Sequence, residues 1–255
     1  MQLTIEKNLP VVMRDGTSLA TDVYRPADSS PHPVVMLRLP YNKEQPVLLF
    51  LAGDILRIAQ AGYAVVVQDC RGTFQSGGTF EPYFQEPDDG EDAIAWAASQ
   101  PWSTGDVGMM GASYYGATQW LAAMRNPPAL KAIAPFITTD QYYDKWTYQG
   151  GAFQLGFILQ WASATFAVGE VARRLGRGEA GAGELGAAIT VADHVDERYW
   201  HTPISELPEL EDLAPYVRDW IAHPDYDDYW REIAPAEHRA TTTVPALNFG
   251  GWFDL

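Results

Sequence analysis

The sequence contains a single cysteine, Cys70, which excludes an internal disulfide framework and a Cys-rich zinc site. Basic residues are also scarce. Only 17 Lys and Arg stand against 33 Asp and Glu, a formal net charge of −16 over 255 residues. A nucleic-acid backbone or an anionic membrane surface would be repelled by that balance. The N-terminus, MQLTIEKNLPVVMRDG, lacks a basic n-region and a long apolar stretch, so no signal peptide is expected. No run is expected to approach the roughly 20 apolar residues that a membrane helix needs. Internal repeats and low-complexity tracts are absent too. These absences predict a cytoplasmic chain with no nucleic-acid and no membrane partner.

What is present argues for a large packed core. Apolar residues make up 47% of the chain, with 9 Trp, 13 Tyr and 10 Phe, a composition that disordered segments do not have. Residues 3–26 alternate around Met13-Arg14-Asp15-Gly16, which predicts a hairpin. The runs PVVMLRLP (33–40), YAVVVQDCRG (63–72), VGMMGAS (107–113) and LKAIAPF (130–136) read as buried strands. Helical spacing falls between them, over 47–61, 88–98 and 114–124. Continuous apolar strands alternating with helices predict an α/β fold, a mostly parallel sheet covered by helices on both faces. From about Asp140 to Ala240 long helical stretches replace this rhythm, and strand character returns at TTVPALNFGG. The expected organisation is a core over 1–139, a helical cap insertion over 140–240, and a return to the core over 241–255.

The sharpest chemical signal is GMMGASYYGATQW. A strand runs through Gly111-Ala112 into Ser113 and then directly into a helix. Such a turn lifts a serine above the sheet edge, and the small residues before it relieve crowding. The helix start also directs backbone N–H groups at any developing negative charge. The usual G-x-S-x-G spacing has its second glycine one place earlier than Gly116, so a tight turn or N-cap is the competing reading of the local sequence. A nucleophilic serine needs a base oriented by a carboxylate. Asp254, after the strand-like PALNFGG, stands where an α/β-hydrolase acid belongs, yet His32, His194, His201, His223 and His238 all precede it.

The stretches RDGTSLATDVYRP, LPYNK, GYAVVVQDCRGTFQSGG, GMMGASYYGATQW, LKAIAPF, HPDYDDYW and PALNFGGWFD occur in order along nearly the whole chain. Together they resemble the cocaine esterase and X-Pro dipeptidyl-peptidase group of serine hydrolases, whose elbow has the form G-x-S-Y-x-G. The resemblance implies an α/β-hydrolase sheet with a helical cap. It implies Ser113 as nucleophile, Asp254 as triad acid, and the Tyr114 N–H with the Tyr41 phenol as oxyanion donors. Trp146 and Trp161 would line the acyl pocket, although core packing explains two tryptophans equally well. Asp144 is expected to be a solvated helix-terminal charge, Arg71 an anchor in a structural turn, and Cys70 a small buried residue. Family members carry the catalytic histidine and a β-sandwich domain after the acid, and neither follows Asp254 here.

The expected activity is hydrolysis of a small-molecule ester through an acyl-Ser113 intermediate, with X-Pro peptide or amide cleavage as the alternative. No cofactor and no metal is required. A separately encoded C-terminal portion or a second copy of the chain is the expected protein partner. Two further readings stay open: a catalytically inert binding module, and a triad in which Asp140 serves His201 or His223.

Overall fold

The computed structural model describes residues 2–45 and 53–253. These form two compact units, Met1–Asp140 with Ile233–Leu255, and Gln141–Glu232.

In the first unit, β1 (Leu3–Val12) and β2 (Ser18–Pro26) form the expected hairpin, closed by the Met13 and Gly16 N–H groups. With β3 (His32–Leu39), β4 (Ala64–Asp69), β5 (Ser103–Ala112) and β6 (Leu130–Phe136), they build a six-stranded sheet in the order β1-β2-β4-β3-β5-β6. The β1–β2 and β2–β4 pairs are antiparallel, and the remaining pairs are parallel. Residues 245–249 then lie parallel along β6, with Leu247 N–H bonded to Ile133 and Phe249 N–H to Pro135.

The strand period of two explains the layers. On β4, Ala64 and Val66 join one core with Ala93, Ile94 and Ala97 of α2 (Glu86–Ala98) and Ala122 and Ala123 of α3 (Tyr114–Ala123). Val65 and Val67 face the other side, with Leu37, Leu39, and Ile55 and Ala59 of α1 (Ile55–Gln60). Local chemistry sets the helix starts. Asp54 caps α1 by accepting the Leu56 and Arg57 N–H groups. Glu86, Asp88 and Asp89 open α2 where the dipole favours acids, with a proline in its first turn. The helix begins two residues before the acids expected to open it. Residues 47–52 of the helix expected over 47–61 lie outside the described residues, and α1 occupies most of the rest.

In the second unit, α4 (Leu155–Gln160) passes through a π-helical stretch, Trp161–Ala167, into α5 (Val168–Gly176). This 22-residue run is long and apolar enough, by length and composition, to cross a membrane. This corrects the expectation that no run approaches that length; Gln160, Ser163 and Thr165 interrupt the apolar residues and hide the run in the sequence. Ile158, Leu159, Ala162 and Phe166 are buried within the unit.

Candidate active site

Ser113 occupies the turn between β5 and α3 with φ +59° and ψ −127°, a conformation that L-residues rarely hold. Three backbone hydrogen bonds impose it. Ser113 N–H donates to Phe136 O at 3.0 Å, and Ser113 O accepts from Gly116 and Ala117 N–H at 2.8 and 3.1 Å. The serine remains partly exposed between two buried neighbours on either side. Gly111 takes φ +128°, and a β-carbon there would stand 2.7 Å from Tyr115 Cβ. The displaced second glycine has its own reason. A β-carbon at Gly116 would lie 2.6 Å from Thr138 Cγ2 and 2.8 Å from Thr138 Cβ, so glycine is needed where α3 crosses the end of β6. Buried Gln119 braces the turn, donating to Gly111 O and Tyr115 O and accepting from Ala134 N–H at 2.9 Å.

Tyr114 is the first residue of α3, where no preceding turn supplies a carbonyl for its N–H. Its side chain is anchored in the interior. The phenol donates to Glu86 Oε1 at 3.2 Å and accepts from Tyr83 N–H at 3.0 Å, while the ring stacks on Tyr83. Burial pushes the phenol pKa well above its ordinary value, so Tyr114 stays neutral. Tyr41, on the loop after β3, places its ring 6.4 Å from that of Tyr114 and 6.1 Å from that of Tyr115. Residues separated by more than 70 positions thus meet beside the serine turn.

Two buried charge networks lie beneath this surface. Fully buried Arg38 donates to Gln68 Oε1 at 2.8 Å and to Glu86 Oε2 at 2.6 Å. Arg71 holds Asp89 through two bonds of 2.9 and 2.5 Å and reaches Asp15 at 2.6 Å, which fits its expected anchoring role. That guanidinium hydrogen bond holds the Asp15 carboxyl well below the usual carboxylate range. The second network joins Asp22, Asp69 and Lys43, all 0–1% exposed. Burial, partly offset by Lys43, pushes the Asp69 carboxyl up to about 6. Apart from Arg71, the members of these networks were not anticipated from the sequence. Their signal was a charged residue inside an apolar run, in VVMLRLP, VVVQD and ATDVY.

Asp254 lies outside the described residues. In the second unit Trp146 and Trp161 meet edge to face at 5.0 Å, and both contact Trp220. His223 Nδ1 bonds Asp227 Oδ2 at 2.6 Å and its ring stacks on Tyr229. Asp140 is held by Arg239 Nε at 2.6 Å, and this pair lines a cleft of about 510 Å³ with Trp120, Thr138, Thr139 and Asn248. His201 is exposed. The burial expected of Cys70 holds: it is wholly buried, and burial raises its thiol pKa. Among the described residues no cluster of His, Cys, Asp or Glu could hold a metal ion.

A mixed sheet whose parallel strands deliver a strained serine to a helix start is the α/β-hydrolase arrangement. The particular family follows from direct comparison. A model of the X-Pro dipeptidyl-peptidase (S15) family matches residues 15–255, and the chain belongs to that family. It is 37% identical over 254 residues to a cocaine esterase of Rhodococcus sp., covering 98% of this chain and 44% of that protein. A putative serine esterase of Mycobacterium bovis is 30% identical over 171 residues, 59% of this chain and 27% of that protein. Among solved structures, an aminopeptidase from a marine-sediment Thaumarchaeota archaeon matches with a TM-score of 0.70 at 26% identity, over 98% of this chain and 43% of that one. A CocE/NonD family hydrolase from Staphylococcus aureus matches with a TM-score of 0.69 at 26% identity, over 93% and 40%. The chain therefore spans less than half the length of these relatives.

Proposed function

We propose that Ser113 is the nucleophile of a serine hydrolase acting on carboxylic esters of small molecules. The observation that carries this reading is the Ser113 turn, a partly exposed hydroxyl held in a strained conformation at the start of α3. Attack on an ester carbonyl forms a tetrahedral oxyanion, and the acyl-Ser113 ester left behind is hydrolysed by water. The Tyr114 N–H and the Tyr41 phenol are the oxyanion donors in this reading. They favour the transition state because the negative charge they meet is absent from the bound ester. Asp254 is the acid, and the base is a histidine that follows the acid in chain order, as the family resemblance implies. Similarity to a cocaine esterase favours the ester as substrate. The S15 family's description as X-Pro dipeptidyl-peptidases supports amide cleavage on the same serine as the second reading.

The test measures fluorophosphonate labelling and hydrolysis of a p-nitrophenyl ester and an X-Pro p-nitroanilide. It is run on this chain and on the longest product its gene encodes. Ester turnover and labelling that both vanish in Ser113→Ala are expected. Turnover that survives Ser113→Ala would overturn the assignment, and faster anilide than ester turnover would favour the second reading.

A further inference from the structure

Lys43 is a lysine with no exposed side-chain surface, two residues beyond Tyr41. Its Nζ lies 3.0 Å from Asp22 Oδ1 on β2 and 4.0 Å from Asp69 Oδ2 on β4, and donates to Asn8 Oδ1 at 2.5 Å. Its backbone N–H donates to Asp69 Oδ1 at 2.8 Å. The loop carrying Tyr41 is therefore tied to the sheet through both the main chain and the side chain of one residue.

Several irregularities converge on that tie. The β1–β2 register shifts between Glu6 and Leu9, and Asn8 within the bulge takes φ +54°; its amide oxygen is the acceptor for Lys43. Asn8 N–H bonds Asp22 Oδ1 at 2.9 Å, and Lys7 pairs with Asp22 Oδ2. Asn42, between Tyr41 and Lys43, takes φ +69°, and its side chain accepts the Glu44 N–H. An apolar filling of the same volume is often as stable as two buried carboxylates and an ammonium, so such a cluster is weak evidence for a role in stability alone. What the arrangement supplies is a fixed exit for the chain from β3, with the Tyr41 ring set against Tyr114 and Tyr115.

We propose that Lys43, held by Asp22, Asp69 and the Asn8 bulge, is the positioning residue that fixes the Tyr41 phenol over the Ser113 turn. The inference rests on the reading of Tyr41 as an oxyanion donor. Lys43 itself touches neither substrate nor reacting atoms. Its effect belongs to the chemical step, because a displaced donor forfeits transition-state stabilisation while substrate binding is retained.

The experiment is a double-mutant cycle on ester turnover in the active gene product, combining Tyr41→Phe with Lys43→Met. Asn8→Ala runs in parallel as a milder cut of the same tie, should Lys43→Met fail to fold. Tyr41→Phe is expected to lower kcat by about 10²-fold, the scale of one lost oxyanion donor. Lys43→Met is expected to lower kcat about tenfold or more, and Asn8→Ala a few-fold, with KM within about twofold of the parent. In the Tyr41→Phe background both changes should leave kcat within about twofold, because the donor they position is gone. Equal losses in both backgrounds would overturn the proposal and make Lys43 merely structural. Unchanged kcat in Tyr41→Phe alone would overturn the donor reading itself, and the proposal with it.

Discussion

Replacing Ser113 with glycine should make the protein more stable while abolishing the hydrolysis proposed for it. Ser113 holds φ +59° and ψ −127° without a side-chain hydrogen bond capping α3. Holding a non-glycine residue in such a region costs about 1–3 kcal/mol. Glycine removes that cost and returns about 0.5–1 kcal/mol through the extra freedom of its unfolded chain. The net expectation is a gain of about 0.5–2 kcal/mol. For a chain of this length that raises the melting temperature by roughly 2–4 °C per kcal/mol. Ser113→Ala is the control, since it removes the hydroxyl but keeps the β-carbon and therefore the strain. Calorimetry or denaturant titration of the two variants isolates the backbone contribution, and fluorophosphonate labelling should be lost in both. A glycine variant no more stable than the alanine variant would refute a strained turn.

Two other variants probe the surroundings of the turn. Gly116→Ala places a methyl group against Thr138, where overpacking of about 1–3 kcal/mol outweighs the ~1 kcal/mol alanine normally gains over glycine in a helix. A lower urea midpoint, partly restored by Thr138→Gly, is expected, and an unchanged midpoint would contradict the close approach. Asp69→Asn tests the buried carboxyl. With its folded pKa raised from 3.8 to about 6, Asp69 contributes stability that is fully present below pH 3.8 and lost as the pH rises through 6. At ~1.4 kcal/mol per pH unit, the parent should lose on the order of 3 kcal/mol relative to Asp69→Asn between pH 4 and 7. Parallel stability curves for the two proteins would refute it.

Much of the fold is written in local pattern. The β1–β2 hairpin follows from alternation around Arg14-Asp15-Gly16, and β6 occupies the very residues of its apolar run. Ser113 could be singled out because glycine and alanine before a serine, and a helix-forming run after it, have few other uses. The late Gly116 was harder to read. Its reason is contact with Thr138, 22 positions away, and no spacing within the motif contains that. Arg38, Lys43, Asp22 and Asp69 were visible only as charges misplaced in apolar strands, since their partners come from other strands and loops.

By itself, then, the sequence determined the α/β alternation, the serine turn and the family, because strand and helix periods and turn residues act over a few neighbours. Only the tertiary structure decided how the turn is held. The Arg38–Glu86–Tyr114 anchor, the Lys43 tie and the meeting of Tyr41 with Tyr114 all join residues far apart in the chain. A buried charge or a tight backbone approach is tolerable only where the folded sheet brings its partner within hydrogen-bonding or van der Waals distance.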